Sequence, residues 1–279
     1  MNLKPDEGII VKKEKIKLGK RRIPILILQP EHQEAKAPGI LWIHGGGYML
    51  GMKEMVYISR AQDLVTKYGA VVISPGYRLS FLKPYPAAFD DCYEALKYMK
   101  DNAKRLGIND KQLMVGGESA GGGLCAAIVM KARDTKDVNI AFQMPLYPMI
   151  DNFDTETSKN NKNKIWNTKL NHIGWKLYLR KRAKKDVEPY AAPARQQNYK
   201  DLPPAYTFVA TDEPFYAETI DFFNKMKNAG VEVELDVYEG LYHAFDMMEP
   251  KAEESLLAAK RFNEAFEYAK EHYYAEQTH

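Results

Sequence analysis

A serine stands between two glycines in the segment 117–121, which reads Gly-Glu-Ser-Ala-Gly. The segment follows the short apolar run 113–115 and precedes a helical pattern of apolar residues that begins at Leu124. On a sharp turn from strand to helix a serine is held in a strained backbone conformation, so its neighbours two positions away must be small. The start of the following helix also favours negative charge nearby. The spacing therefore predicts that Ser119 is a nucleophile.

Three consecutive glycines follow a predicted strand in the segment 44–48, His-Gly-Gly-Gly-Tyr. Glycine lets backbone N–H groups approach a ligand closely, and acyl transfer needs such donors for the oxyanion of its tetrahedral intermediate. We expect the N–H groups of Gly45 and Gly46 to serve as these donors, with that of Ala120 as the third. His44 is expected to position the loop rather than to carry a proton.

The base that activates a serine nucleophile is commonly a histidine, and the chain has six. His243 lies in the segment 240–245, directly after the predicted strand 231–238. The other histidines occupy an early turn, the glycine segment, an insertion and the C-terminal tail: His32, His44, His172, His272 and His279. A loop after a late strand is the suitable place for the base, so we predict that His243 fills this role.

A carboxylate must orient the histidine. Where the nucleophile lies on a strand-to-helix turn of this kind, the order along the chain is serine, acid, histidine. Asp212 and Glu213 both follow the predicted strand 206–210 and precede a helical pattern. One of them is expected to stabilise the imidazolium ring of His243, while the other could cap the helix. The spacing does not separate the two.

Short apolar runs alternate with helical patterns along the chain. The first two apolar segments, 9–18 and 22–29, are joined by Gly19-Lys20-Arg21 and predict a β-hairpin. Nearly continuous apolar runs suit strands that are buried on both faces, and they lie at 39–44, 71–74, 113–115, 141–146 and 206–210. Helical patterns lie at 58–68, 87–106, 124–132, 215–229 and 252–274. This alternation predicts a single α/β domain over residues 1–279, with a mostly parallel central sheet and helices on both faces.

The stretch 151–189 interrupts the alternation. It begins with a polar part rich in Lys, Asn and Ser and then carries Trp166, Trp175 and Tyr178 on a short basic helix. Because it falls between candidate catalytic segments, we predict a small lid or cap insertion that covers the site. The three aromatic side chains are candidate walls of a substrate pocket, although helix packing explains them equally well.

The composition sets limits on partners and location. Of 279 residues, 45% are hydrophobic and 28% charged, with a formal net charge of +3, which does not indicate a nucleic-acid partner. The basic runs 159–164 and 180–185 are interpreted as solvated surface. Two cysteines and the lack of a signal-like or membrane-spanning apolar run favour a cytoplasmic protein without stable membrane association. An edge strand at 231–238 could pair between two copies and give a homo-oligomer.

Several of these motifs occur in the same order in a known family. The chain resembles the hormone-sensitive-lipase-like branch of the α/β-hydrolases, which contains bacterial carboxylesterases and acetyl esterases. The segments that carry the resemblance are 44–47, 77–79, 84–88 with Asp91, 117–122, 202–205 and 240–245. The resemblance implies the α/β-hydrolase fold for most of the chain.

The resemblance also implies a function. It points to a serine carboxylesterase that hydrolyses small esters with short acyl chains, acetyl to butyryl, through an acyl-enzyme intermediate and without a cofactor or metal ion. The family's catalytic carboxylate is usually an Asp before a proline, and the matching position here is Glu213 before Pro214. Glu118 matches an acidic residue of the family's nucleophile motif and is expected to be structural. Many members carry a long N-terminal helical cap, whereas only 43 residues precede His44 here, so residues 151–189 are expected to supply much of the cover.

Two other functions use the same scaffold. An amidase or formamidase would act through the same serine, histidine and carboxylate. A ligand-binding receptor of this family would have lost the base, and the presence of His243 argues against it.

Overall fold

The computed structural model describes residues 3–33 and 35–278. The strands are β1 (Ile9–Leu18), β2 (Arg21–Pro30), β3 (Ala37–Ile43), β4 (Val71–Pro75), β5 (Ile108–Glu118), β6 (Phe142–Leu146), β7 (Ala205–Ala210) and β8 (Val233–Tyr238). They form one eight-stranded sheet in the order β1-β2-β4-β3-β5-β6-β7-β8. Strand β2 is antiparallel to both of its neighbours, and all other pairs are parallel. The predicted hairpin and the mostly parallel sheet are therefore confirmed.

Helices cover both faces of this sheet. They are α1 (Ala61–Tyr68), α2 (Ala87–Asp101), α3 (Ala103–Leu106), α4 (Ala120–Thr135), α5 (Thr168–Leu179), α6 (Tyr216–Asn228), α7 (Phe245–Met248) and α8 (Glu253–His272). Buried residues of α2, α4, α5 and α6 belong to one apolar cluster, and those of α1 and α8 belong to the other. Within the described residues, no helix is long and apolar enough to cross a bilayer.

The sheet separates these two clusters because side chains alternate in direction along each strand. On β2, Ile25 and Ile27 pack into the cluster with α2 and α4, while Leu26 and Leu28 pack into the cluster with α1 and α8. All four are fully buried. A strand covered on both faces needs apolar residues at every position, which explains the continuous apolar runs of the sequence.

One predicted helix is interrupted. The pattern at 87–106 predicts a single helix, but α2 ends before Asn102, whose backbone leaves the helical region at φ −106° and ψ 9°. The side-chain amide of Asn102 donates to the carbonyl of Tyr98 over 2.9 Å. Asparagine competes with the helical backbone in this way, so the short helix α3 follows as a separate turn.

The parallel strands bring the chemistry-bearing loops to one edge of the sheet. Ser119 follows β5, Glu213 lies just beyond β7, and His243 lies in the loop after β8. The glycine segment follows β3. In open parallel sheets, ligands bind where loops leave the carboxyl ends of the strands. β8 is the last strand of the sheet, as expected for an edge strand, and its pairing with a second copy stays a prediction.

Candidate active site

Ser119 lies on a strained turn between β5 and α4. Its backbone has φ 56° and ψ −121°, in a region that residues with side chains seldom occupy. A Cβ atom built on Gly117 would lie 2.5 Å from the carbonyl oxygen of Ile43, and one built on Gly121 would lie 2.0 Å from the same atom. Backbone oxygens of a central strand cannot move aside. The turn therefore requires glycine two positions before and two positions after the serine.

A chain of polar contacts connects three of the predicted site residues. Nε2 of His243 lies 3.0 Å from Oγ of Ser119, and Nδ1 of His243 lies 2.5 Å from Oε2 of Glu213. All three side chains are buried. Burial raises the pKa of Glu213, while the adjacent imidazole of His243 acts in the opposite direction. The arrangement suits a hydroxyl that passes its proton to an imidazole whose ring the carboxylate holds in place.

The neighbouring carboxylate points elsewhere. Asp212 is exposed, and its Oδ1 atom accepts a hydrogen bond from the hydroxyl of Thr211 over 3.2 Å. The backbone carbonyl of Asp212 accepts from the side chain of Asn161, in the 151–189 stretch, over 3.1 Å. Of the two carboxylates that the sequence left open, the structure therefore places only Glu213 beside His243.

The glycine segment reaches Ser119 from β3. A Cβ atom on Gly45 would lie 3.2 Å from Cβ of Ser119, so only glycine lets this backbone come so close. Gly46 has φ 112°, and a Cβ there would lie 2.3 Å from the carbonyl oxygen of Leu50. Ala120 is the first residue of α4, where a backbone N–H has no acceptor within its own helix. The three predicted donors thus belong to two backbone segments that meet at the serine.

His44 supports this segment from below. Its ring stacks on that of Tyr77 with centroids 4.2 Å apart, and Tyr77 donates its hydroxyl proton to the carbonyl of His44 over 2.9 Å. Burial lowers the pKa of His44 to about 4, so the imidazole is neutral at physiological pH. Its Nδ1 atom lies 2.7 Å from the carbonyl oxygen of Gly45, which fits a structural donor rather than a proton carrier.

Three aromatic rings surround His243. Phe215 and Tyr147 meet the imidazole edge-on, with centroids 4.9 Å and 5.1 Å away, and the Trp166 ring lies 6.4 Å away. The sequence motifs did not indicate a role for Phe215 or Tyr147. Phe215 directly follows Pro214, and Tyr147 directly follows strand β6. A Cβ on Gly47 would lie 2.2 Å from the Trp166 ring, so the indole packs directly on the glycine segment.

The other two candidate pocket aromatics make a different set of contacts. Trp175 and Tyr178 are buried and pack against Tyr48, whose ring stacks on Tyr178 at 4.0 Å. They anchor α5 to the rest of the protein. Among the three aromatic candidates of the 151–189 stretch, Trp166 is therefore the one that packs on Gly47 and lies beside His243.

A buried charged cluster lies behind His243 and was not predicted. Asp246, on the first turn of α7, is fully buried, and its Oδ1 atom accepts a hydrogen bond from Tyr147 over 3.1 Å. Nε of Arg60 lies 3.4 Å from Oδ2 of Asp246. Burial raises the pKa of Asp246, whereas Arg60 acts to lower it. The available sequence signal was a charged residue three positions after His243.

Glu118, directly before the serine, faces away from it. Its Oε1 atom accepts a hydrogen bond from Nε1 of Trp42 over 2.8 Å. Burial raises the pKa of Glu118 to about 8, and the nearby Asp246 acts in the same direction. Glu118 thus ties β5 to β3 below the serine, in keeping with its predicted structural part. Within the described residues, no group of three or more His, Cys, Asp or Glu side chains could hold a metal ion.

Known sequences agree with this fold. A sequence profile for the α/β-hydrolase fold matches residues 40–247. The chain belongs to the α/β-hydrolase family. The match confirms the predicted branch, that of the hormone-sensitive-lipase-like enzymes.

Several relatives of this α/β-hydrolase are named esterases. Esterase LipI of Mycobacterium tuberculosis is 30% identical, over 76% of this chain and 67% of its own. The ethyl acetate hydrolase of Pseudomonas putida is 25% identical, over 84% of this chain and 74% of its own. A solved structure of a bacterial heroin esterase is 30% identical and superimposes with a TM-score of 0.89, covering 97% of this chain and 86% of that one.

Proposed function

We propose that this protein is a serine carboxylesterase that hydrolyses small esters of short acyl chains, acetyl to butyryl. The observation that carries the proposal is the continuous contact from Ser119 through His243 to Glu213, with distances of 3.0 Å and 2.5 Å. The esterase names of the relatives support the same class of reaction.

In the proposed mechanism, His243 takes the hydroxyl proton as Ser119 attacks the ester carbonyl carbon. Glu213 holds the imidazole in orientation and stabilises the imidazolium that forms. The protonated His243 then gives its proton to the leaving alcohol, and an acyl-enzyme remains on Ser119. Water deprotonated by His243 attacks the acyl group and releases the acid, which restores the starting state.

The oxyanion of each tetrahedral intermediate would accept hydrogen bonds from the N–H groups of Gly45, Gly46 and Ala120. Preorganised donors of this kind contribute about 3 kcal/mol each to the stability of a transition state. The close approach of Gly45 to Ser119 supports this assignment, because a side chain there would push the donor away. All groups in the mechanism come from the chain itself, so no cofactor or metal ion takes part.

We further propose that residues 151–189 are an insertion within a single domain and cover the acyl side of the site. The contact of Trp166 with Gly47 and its position 6.4 Å from His243 support this placement. A bulky indole beside His243 and Gly47 leaves room for a small acyl group. Substitution of Trp166 by Ala should therefore shift the preference among p-nitrophenyl esters from acetyl and butyryl toward longer chains.

The direct test compares wild type with Ser119→Ala on p-nitrophenyl acetate and butyrate. We expect kcat/KM to fall by at least about 1,000-fold, with an unchanged circular dichroism spectrum. Wild type should also react with a fluorophosphonate probe, and the variant should not. Unchanged turnover by the variant would refute the nucleophile, and faster cleavage of a matched amide than of its ester would favour an amidase.

A further inference from the structure

Two neighbouring loops next to the glycine segment expose apolar side chains. Four large residues on them have more than half of their surface open to solvent: Leu50 (59%), Met52 (53%), Phe81 (51%) and Leu82 (71%). The loops adjoin because the N–H of Ser80 donates to the carbonyl of Tyr48 over 2.8 Å. Scattered apolar residues are ordinary on a protein surface, but a group on adjoining loops indicates a contact surface.

A strongly basic segment lies beside these loops. Residues 180–185 read Arg-Lys-Arg-Ala-Lys-Lys, and all five cations are exposed. The guanidinium of Arg180 donates to the carbonyls of Ser80 and Phe81 over 3.0 Å and 3.1 Å, which joins the segment to the apolar loop. Arg182 pairs with Glu188, the one ion pair that the segment forms within the described part of the chain. Positive charge therefore stands next to the exposed apolar group without equal negative charge.

The same segment borders a cavity of 630 Å³. The cationic residues that line the cavity are Lys176, Arg180, Lys181 and Lys184. Its one acidic lining residue, Asp154, lies 2.6 Å from Nε2 of His172. Trp175 also lines the cavity, is 3% exposed, and has an indole N–H without a hydrogen-bond partner among the described residues. Such a lining suits an anionic group that accepts hydrogen bonds, as a phosphate diester does.

We propose that this face docks reversibly on membranes that contain anionic phospholipid. The four exposed apolar side chains enter the bilayer interface, while the cations of 180–185 and the cavity bind phosphate headgroups. An apolar group combined with basic residues is the composition that binds anionic membrane surfaces, and each basic residue near such a surface strengthens binding on the order of fivefold. The exposure of all five cations agrees with the interpretation of 180–185 as surface, and the proposal adds a partner for it. Docking is a property separate from ester hydrolysis.

Docking would bring the candidate active site to the membrane. The backbone N–H of Leu50 donates to the carbonyl of Gly46 over 2.9 Å, so the exposed loop is continuous with the glycine segment. Esters that partition into the lipid phase would then reach Ser119 from the membrane side.

Vesicle co-sedimentation tests the proposal with the full chain. Wild type should sediment with vesicles of phosphatidylcholine mixed with phosphatidylglycerol and much less with phosphatidylcholine alone, and high salt should release it. The triple variant Lys181→Ser, Lys184→Ser, Lys185→Ser should lose roughly 100-fold in partition coefficient. The double variant Phe81→Ser, Leu82→Ser should lose about tenfold through the smaller apolar area.

Matched controls lie on α8, on the other side of the sheet. Leu256 and Leu257 are 58% and 49% exposed, and their replacement by Ser should leave sedimentation unchanged. Circular dichroism spectra and thermal unfolding should be unchanged in every variant, which reports on folding independently of docking. Equal binding to both vesicle types, or an equal loss in the α8 control, would overturn the proposal. Binding of free glycerol 3-phosphate without any binding to vesicles would also overturn it, in favour of a soluble anion.

Discussion

The imidazole of His243 and the carboxylate of Glu213 meet inside the protein, with Nδ1 and Oε2 only 2.5 Å apart. Glu213 is 1% exposed, and its second oxygen, Oε1, has no hydrogen-bond partner among the described residues. His243 is therefore the side-chain hydrogen-bond partner of this carboxylate within the described structure.

The contact predicts which of two adjacent carboxylates supports catalysis. Glu213→Gln should lower kcat for p-nitrophenyl acetate by about 10³- to 10⁴-fold, because a neutral amide no longer stabilises the imidazolium. Asp212→Asn should retain activity within about threefold, because its side chain faces solvent. Steady-state kinetics of both variants provide the measurement. A larger loss in Asp212→Asn than in Glu213→Gln would reverse the assignment.

Asp246 should act on His243 through charge rather than through contact alone. Its buried carboxylate stabilises the positive charge that develops on the imidazole as His243 takes the Ser119 proton, so Asp246→Asn should lower kcat. Tyr147→Phe removes the hydrogen bond to Asp246 and keeps the charge. We expect that variant to lose less rate than Asp246→Asn.

A comparison of kcat in the two variants separates charge from packing. A role in packing alone would lower kcat of both variants by similar factors. Thermal unfolding of the same proteins reports how much of each loss comes from stability, since Arg60 loses its buried partner in Asp246→Asn.

Glu118 should make stability depend on pH. The pKa of Glu118 is raised from 4.5 to about 8, so the folded protein retains a proton that the unfolded chain releases above pH 4.5. The contribution of this residue to the free energy of unfolding must then fall as pH rises from about 4.5 to 8. Glu118→Gln keeps an acceptor for Trp42 and cannot ionise.

Denaturant unfolding at several pH values tests this linkage. The stability of Glu118→Gln relative to wild type should increase between about pH 5 and 8 and level off outside this window. The exposed Glu239, changed to Gln, is the control for the loss of one carboxylate. A pH-independent difference would contradict the raised pKa.

Replacement of a glycine next to Ser119 should lower the free energy of unfolding more than replacement of a glycine that only needs a left-handed backbone. Gly121→Ala places a methyl group 2.0 Å from a strand carbonyl oxygen and should lower the free energy of unfolding by more than about 3 kcal/mol. Gly69 has φ 69° with open space around it, so Gly69→Ala should cost about 1–2 kcal/mol. Denaturant melts measure both values. Equal costs would show that the turn relaxes around the added methyl.

Much of the fold could be predicted because its constraints are local. Strands such as β3 and β4 are buried on both faces, and such strands need apolar residues at nearly every position. The turn at Ser119 leaves a similar local record, since a side chain at 117 or 121 would collide with neighbouring backbone. These residues could therefore be predicted without knowledge of any distant contact. Their catalytic roles stay predictions until the kinetics are measured.

The sequence by itself determined the family, the parallel sheet and the positions of Ser119 and His243 at its loops. The family resemblance already pointed to Glu213, and the tertiary structure places this carboxylate, rather than that of Asp212, beside the histidine. Only the tertiary structure decided that Trp166 rather than Trp175 lies beside Gly47 and His243, and that Asp246 is buried near His243. Each of these choices depends on the direction in which one side chain leaves its backbone. Adjacent residues leave the backbone in different directions. The partner of Glu213, His243, lies 30 positions away in the chain, so no local sequence pattern records their contact.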